Sequence, residues 1–331
     1  MSVQNQLAIY NRKLTYLVLM LTLCALGCIF LGYIVLPFAA AYFAALIYFE
    51  KPEKRVFSYL IPVTMFLVNF IARGFSLNGL LSLDAIAYVV LGVIIYLTYV
   101  NNKKKSDGAF YGTLMTVILM LISLIFLAFN SLNAFGISAI EQFYMPIFSK
   151  CKAEIVDVLT SVVIPTDDGG FAFAFNVFEA EAVCEEMMFL LIPTLILTAF
   201  LIVGIAFKVF SGLLAKHDVT YTPELWRFVP TNSIAYFYIA TAILSMLFST
   251  ATGVFEYTIT ILNIVLMAVF AYLGITFVYA FLSSLRGSVF AFLVVFLAIL
   301  FLSYFAIQLL SFIGVYYVIT YNKAKMTKNN S

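Results

Sequence analysis

Eight apolar blocks fill most of this chain and leave few ways for it to fold. A helix that crosses a bilayer needs about 20 apolar residues, and each block reaches or approaches that length. Of the 331 residues, 64% are hydrophobic and only 10% are charged, whereas soluble domains carry about 25% charged residues. This number of charges is too small to cover a water-facing surface. The sequence therefore predicts an all-α polytopic bundle of transmembrane helices. The blocks are 14–49, 56–72, 80–99, 110–130, 187–214, 232–252, 254–283 and 288–320.

The first and last blocks are too long for one upright helix, and each contains residues that can interrupt a helix. Gly32 and Pro37 interrupt the first block, and Gly314 interrupts the last. Each block can form either one tilted helix or a hairpin of two shorter helices. Eight spans result from the first alternative and about ten from the second.

The basic residues favour the two hairpins. Lys and Arg concentrate in the cytoplasmic loops of membrane proteins. With both hairpins, all basic residues except Arg73, Lys150 and Lys152 fall on one side; with single crossings they divide between both sides. The sequence therefore predicts about ten spans in the cell membrane with both termini in the cytoplasm. The residues on the common side are Arg12, Lys13, Lys51, Lys54, Arg55, Lys103, Lys104, Lys105, Lys208, Lys216, Arg227, Arg286, Lys323, Lys325 and Lys328.

A segment with the opposite charge separates an N-terminal membrane half, 1–130, from a C-terminal half, 187–331. This acidic segment, 131–186, carries nine of the chain's 16 acidic residues and two of its 18 basic ones. Because it is neither apolar nor basic, we expect it to lie on the external side.

The acidic segment is predicted to be mostly helical. Apolar residues at helical spacing over 140–159 indicate an amphipathic helix lying on the membrane surface. Residues 165–170 are a cluster of turn formers, and 176–188 form a second amphipathic stretch. Cys151 and Cys184 both fall here, and they can be free thiols or form a disulfide in an oxidising exterior.

No residue pattern indicates catalysis. The only histidine is His217, in a loop where solvation explains it, and the spacings of phosphate-binding loops, zinc proteases and serine hydrolases are missing. The basic residues lie in separate short loops and form no patch for nucleic acid. We expect a protein that is not an enzyme and that has no catalytic residues, cofactor, metal or nucleic-acid partner.

Three charged residues near span ends are candidates for binding a small solute. Ionisable groups are costly inside a membrane, so they often mark functional sites. Arg73 and Asp84 flank one predicted external turn, and Glu256 follows another at 250–253. They can line one external mouth, or they can simply be solvated at the span ends.

Small residues predict close helix packing in the first block. Ala40 and Ala44, and likewise Ala41 and Ala45, are spaced four apart and form faces that let helix backbones approach closely. Such faces serve packing within the bundle or docking of a partner membrane protein's helix, and the sequence allows both.

Four short motifs carry a resemblance to a known family. Trp226 is an expected interface anchor, and the basic loop that ends in Trp226-Arg227-Phe228-x-Pro230 before a span resembles the YybS-like family of bacterial membrane proteins. Three other places are similar to that family. They are Leu91-Gly92 with Lys103–Lys105 and Gly112; Tyr272-Leu273-Gly274-Ile275 through Arg286; and Phe312-Ile313-Gly314-Val315-Tyr316-Tyr317 through Lys323.

The resemblance implies a fold similar to the substrate-binding components of energy-coupling-factor vitamin transporters. Those components dock a partner through small faces on their first helix, which would give Ala40 and Ala44 a docking role. The chain departs from the family pattern at Tyr317 and Tyr321, where the family has acidic residues. We expect a transport-type component that binds a small solute; the alternative is a structural or regulatory membrane protein that senses or docks through the acidic segment.

Overall fold

The fold is a helix bundle in two compact units. The computed structural model describes residues 3–72, 87–132, 134–165, 171–217, 228–247 and 254–329. Unit 1 comprises Met1–Leu191 and Thr198–Trp226, and unit 2 comprises Ile192–Leu197 and Arg227–Ser331. The predicted all-α polytopic bundle is confirmed.

Five helices within the described residues are long and apolar enough to cross a bilayer. The protein is therefore a multi-pass integral membrane protein. The five are Pro52–Ile71, Lys105–Phe129, Leu191–Lys216, Tyr257–Ser284 and Phe305–Lys325, and three shorter apolar helices are Leu36–Phe49, Ala87–Val100 and Asn232–Leu247.

Unit 1 begins with an antiparallel hairpin of α1 (Val3–Leu31) and α2 (Leu36–Phe49). The chain reverses at a 3-10 turn where Gly32 has a φ of +56°, a conformation that glycine adopts at little cost. The rings of Tyr16 and Tyr42 lie 6.4 Å apart, so α2 packs back against α1 after the turn. The predicted hairpin in the first block is confirmed.

Four helices of the described ranges between 50 and 132 follow the hairpin. They are α3 (Arg55–Ser58), α4 (Leu60–Ala72), α5 (Ala87–Val100) and α6 (Lys105–Leu132). Helix α5 runs parallel to α2, because Gly92 packs against Ala40 and, further along both helices, the ring of Tyr99 lies 5.1 Å from that of Tyr48.

The acidic segment folds into two helices joined by a small β-hairpin. The elements are α7 (Ile137–Ser161), β1 (Val163–Pro165), β2 (Phe171–Phe173) and α8 (Val177–Phe189). The two helices are confirmed, whereas the antiparallel strands, which pair Val163 with Phe173, were not predicted. The predicted turn at 165–170 lies outside the described residues except for Pro165.

Specific contacts hold the two helices of the acidic segment together and fix α7 to α6. The Tyr144 hydroxyl in α7 donates a hydrogen bond of 2.7 Å to the carbonyl of Leu124 in α6. Lys152 in α7 pairs with Glu185 in α8 at 3.3 Å. Only Leu190 separates α8 from α9 (Leu191–His217), so the segment is attached closely at both ends.

Unit 2 contains α10 (Asn232–Leu247), α11 (Val254–Arg286) and α12 (Ser288–Asn329). The buried ring of Tyr238 stacks on Phe270 with centroids 5.0 Å apart. The Tyr238 hydroxyl and the Ser311 hydroxyl share a buried hydrogen bond of 2.7 Å. These contacts join one residue from each helix of the unit into a common core.

Two glycines form the crossing point of α11 and α12. A Cβ atom built on Gly274 would overlap the carbonyl oxygen of Leu310 and lie 2.7 Å from its carbonyl carbon. A Cβ atom on Gly314 would overlap the carbonyl oxygen of Phe270 and lie 3.0 Å from the nitrogen of Gly274. Only residues without a side chain allow the two backbones to approach this closely.

The predicted hairpin in the last block is wrong, because α12 is one continuous helix. Gly314 serves close packing and does not interrupt the helix. Helix α12 is nevertheless not straight. At a rise of 1.5 Å per residue, Gly314 would lie about 39 Å from Ser288, whereas Gly274 lies only about 18 Å from Arg286. Since the two glycines touch and only Gly287 separates α11 from α12, α12 must bend before it reaches Gly314.

Candidate functional site

Most of the charged residues predicted to line an external mouth cannot be placed. Arg73 and Asp84 lie outside the described residues, as do Trp226 and Arg227. Glu256 lies in the first turn of α11, but its side chain is outside the described set. The predicted mouth therefore stays a prediction.

The small-residue face of α2 is buried within unit 1. Ala40, Ala41, Ala44 and Ala45 are each 0% exposed. A Cβ atom added to Gly92 in α5 would lie 2.9 Å from the Ala40 carbonyl oxygen, so this face serves packing between α2 and α5. A partner helix could reach it only by displacing α5.

Pro230 joins the two ends of unit 2. It is buried and lies just before α10. The side-chain amide of Asn322, near the end of α12, donates to the Pro230 carbonyl at 3.0 Å and to the side-chain oxygen of Asn232 at 2.9 Å. Pro230, the last residue of the Trp226–Pro230 motif, therefore has a structural role in unit 2. Its partner Asn322 was not predicted from the sequence.

Tyr88 is the most unusual polar group in the core of unit 1. It occupies the first turn of α5 and is 0% exposed. Its ring meets that of Phe43 edge to face, with centroids 5.9 Å apart. Its hydroxyl is buried without a hydrogen-bond partner among the described residues.

An unsatisfied buried hydroxyl is destabilising by about 1–3 kcal/mol. Native proteins usually satisfy such groups with protein, water or ligand atoms. The Tyr88 hydroxyl can therefore form one hydrogen bond with a bound small molecule, and the Phe43 ring would give that molecule an apolar surface to pack against. Sequence reasoning missed this residue, because a tyrosine in an apolar run is also the usual sign of an interface anchor.

The opposite end of unit 1 is basic and aromatic. The ring of Tyr99, at the end of α5, lies 5.8 Å from that of Phe210 in α9, and the Lys216 ammonium lies 6.0 Å from the ring centre of Tyr16 in α1. The ends of α2, α5 and α9 and the middle of α1 therefore meet. We call this the basic end; its cations are Lys51, Lys54, Arg55, Lys103, Lys104, Lys105, Lys208 and Lys216.

The meeting of these loops confirms part of the predicted topology. The charge pattern placed the basic groups of the N-terminal half on one side, and the aromatic contacts bring them to one end of unit 1. Since α5 runs from Tyr88 towards this end, Tyr88 belongs to the other end. That the basic end faces the cytoplasm stays a prediction.

Three cations of the basic end lie over aromatic rings. Arg55 lies 5.5 Å from the ring centre of Tyr96, and Lys105 lies 6.0 Å from that of Phe207. Glu50 instead accepts a hydrogen bond from Ser58. Within the described ranges, no basic side chain of this end forms a salt bridge; the two ion pairs observed there, Lys150–Glu154 and Lys152–Glu185, lie in the acidic segment.

The two cysteines of the acidic segment are free thiols. Cys184 is buried and Cys151 is exposed. In α1, Cys24 and Cys28 are reduced thiols, and Cys28 is buried in the core as a small packing residue.

Comparison with known proteins gives no relative for this chain: no family model, no curated protein and no solved structure matches it. The resemblance to the YybS-like family therefore stays a prediction.

Proposed function

We propose that the protein is a transport-type component of the cell membrane that binds a small solute inside unit 1. The observation that supports this most is the buried Tyr88 hydroxyl, which has no hydrogen-bond partner among the described residues. Polar groups inside a membrane bundle are functional candidates by default. This one lies at the end opposite the basic end, which is the external end if the basic end is cytoplasmic.

The surroundings of Tyr88 define the class of solute. A solute hydrogen-bonding group would satisfy the hydroxyl, and an apolar or aromatic part would pack against Phe43, whose ring is 5.9 Å away. Small-molecule sites in proteins commonly combine an apolar lining with a few polar groups of this kind. Transport would then require a partner subunit for the energy-dependent step, as the family resemblance implies.

The test is solute binding and uptake by the full-length protein reconstituted in liposomes. A panel of small solutes with a ring and a hydrogen-bonding group, such as water-soluble vitamins and nucleobases, is screened by thermal shift and then with radiolabel. Tyr88→Phe keeps the ring and removes the hydroxyl, so we expect about a tenfold loss of affinity, equivalent to one hydrogen bond of roughly 1.4 kcal/mol.

Tyr111→Phe is the matched control, because Tyr111 in α6 is 59% exposed and its hydroxyl loss should leave affinity unchanged. The solute-free Tyr88→Phe protein should be at least as stable as wild type, since an unsatisfied hydroxyl has been removed. Unchanged affinity in Tyr88→Phe, or no binding by any solute of this class, would contradict the proposal.

A second candidate function is sensing or docking through the acidic segment. The observation that favours it is the exposure of large apolar side chains beside the β-hairpin, where Phe173 is 71% and Phe178 is 85% exposed. Deleting residues 138–186 while keeping the spans separates the two functions. A regulatory protein would lose its role, whereas a solute site at Tyr88 would keep its affinity.

A further inference from the structure

The β-hairpin of the acidic segment is a sheet of only two strands. Within the described ranges no third strand pairs with β1 or β2, and each strand is three residues long. A hairpin of two short strands is marginally stable in water, and a third strand stabilises it. Each open edge is also a row of unpaired backbone donors and acceptors. The hairpin therefore has two edges to which another strand could add.

The hydrogen bonds between the strands show which backbone groups point outwards. The Ala174 amide donates to the Val162 carbonyl at 2.8 Å, and Val163 lies opposite Phe173. In an antiparallel ladder this bond places Val163 and Phe173 in a pair that does not exchange hydrogen bonds. The amide and the carbonyl of Phe173 therefore point away from β1, towards the outer edge of β2.

The two outer edges differ because of Pro165. Pro165 lies opposite Phe171 and two residues beyond Val163, so its nitrogen occupies an outward position on β1. That nitrogen carries no hydrogen, and a proline on an edge strand is a common protection against added strands. The matching outward positions on β2 are Phe171 and Phe173, and both have an amide N–H. The outer edge of β2 is therefore the edge that can pair fully with another strand.

The hairpin also presents apolar side chains beside this edge. Phe173 and Val163 project from the same face because they lie opposite each other, and they are 71% and 48% exposed. An added strand would place one of its side chains next to Phe173 and bury part of this surface. Backbone hydrogen bonds and side-chain contacts of this kind are the two components of recognition by strand addition.

The charge around the hairpin favours a basic partner. The acidic segment carries nine acidic and two basic residues, and both lysines are already paired with glutamates, at N–O distances of 3.8 and 3.3 Å. Asp157 before β1, and Glu179 and Glu181 after β2, are exposed. A second copy of the hairpin would bring the same negative charges together, which is repulsive, whereas a basic strand would be attracted.

We propose that the outer edge of β2 binds an extended, basic segment of a partner protein as a third strand. The proposal gives the partner class for the docking function described above as the second candidate; it rests on that function and does not involve Tyr88. Deleting residues 138–186 tests docking as a whole, whereas the following experiment tests the edge alone. A loss of role on deletion together with no peptide binding would keep the docking function and overturn the edge.

The test measures binding of synthetic peptides to the full-length protein in neutral detergent micelles. The probe is a short, labelled peptide of alternating lysine and valine with blocked ends, followed by fluorescence polarisation. We expect it to bind about tenfold more tightly than a peptide of alternating glutamate and valine. We expect the same advantage over the lysine peptide with N-methyl groups on its two central residues, which have lost their amide donors. Equal binding of the methylated peptide would overturn strand addition, and equal binding of the acidic peptide would overturn the charge assignment.

Variants of the protein identify the edge. Phe173→Pro removes the outward N–H of β2 and leaves the bonds between the strands in place, so we expect about a tenfold loss of affinity. Phe173→Ala keeps the N–H and should lose only the side-chain contact, about threefold. Val163→Pro is the matched control, because it removes the outward N–H of β1; Val162 before it is already extended, with φ −69° and ψ 122°, as a residue before proline requires. Unchanged affinity in Phe173→Pro, or an equal loss in Val163→Pro, would overturn the proposal.

Hydrogen exchange of the unaltered protein tests the same edge without a variant. The lysine peptide should slow exchange of the Phe173 amide, which becomes a ladder donor, and should leave the Val163 amide unchanged. Exchange is read at single residues by fragmentation in a mass spectrometer. A Phe173 amide that the bound peptide does not protect would overturn the proposal.

Discussion

Replacing Gly314 by Ala should separate α11 from α12 and destabilise unit 2. The added Cβ atom would overlap the carbonyl oxygen of Phe270 and lie 2.8 Å from its carbonyl carbon and 3.0 Å from the nitrogen of Gly274. Ordinary contacts at these atoms are about 3.4–4 Å. The neighbours are backbone atoms, which cannot rotate away, so the helices themselves must move apart.

The expected magnitude follows from two opposing effects. Overpacking a tight contact is destabilising by about 1–3 kcal/mol, and fixed backbone neighbours place this site at the upper end. Alanine is favoured over glycine inside a helix by about 1 kcal/mol. The net expectation is a loss of about 2 kcal/mol in the free energy of unfolding, or roughly a 30-fold shift in the unfolding equilibrium.

The measurement is pulse proteolysis of the full-length protein after equilibration with increasing dodecyl sulfate in mixed micelles. Gly204→Ala in α9 is the control, because no other atom lies within 4 Å of a Cβ added there. It should show only the gain in helix propensity, about 1 kcal/mol. If Gly314→Ala were as stable as Gly204→Ala, the two helices could not cross at this glycine pair.

Three further predictions test other contacts. Asn176→Ala should loosen the start of α8 by about 1 kcal/mol, because the Asn176 side chain accepts a hydrogen bond of 2.9 Å from the Glu179 amide; hydrogen exchange that is unchanged in the first turn would contradict this. Ser311→Ala should destabilise unit 2 by about 1–2 kcal/mol in the same dodecyl sulfate assay, since Tyr238 then loses its buried partner. Single cysteines that replace Lys103 and Lys216 in a cysteine-free chain should react with an impermeant reagent from the same side of sealed vesicles, and labelling from opposite sides would refute the shared basic end.

The first hairpin could be predicted from the sequence because its signals are local. Gly32 lies between two apolar runs, each of about span length once the block is divided, and the basic groups on both sides require the chain to return. The structure places the turn at Gly32 with a positive φ, as a residue without a side chain permits.

The last block carries the same kind of signal with a different physical meaning. Gly314 and Gly32 are indistinguishable as single letters in an apolar run. Gly314, however, lies inside a continuous helix. The absence of a side chain there allows the backbone of a neighbouring helix to pack against it. That neighbour, the stretch around Gly274, is distant in sequence, so periodicity and break signals could not identify the contact.

The candidate sites show a similar division. Sequence reasoning selects charged residues, and of the three selected for the mouth, Arg73 and Asp84 lie outside the described residues, as does the Glu256 side chain. The Tyr88 site depends on which helices are neighbours and on a hydroxyl that has no hydrogen-bond partner among the described residues. Neither property is encoded in a local sequence pattern.

The length of α12 has a consequence for how this chain is accommodated by lipid. A helix of 42 residues measures about 63 Å along its axis, roughly twice the thickness of the hydrocarbon core. The bend before Gly314 divides it, and the part that begins at Ser288 forms an apolar arm of its own. Because the helix bends, this arm takes a different direction from the part of the helix that follows the bend. One continuous helix thus contains two segments that point in different directions. The number of membrane crossings therefore cannot be counted from the number of helices alone.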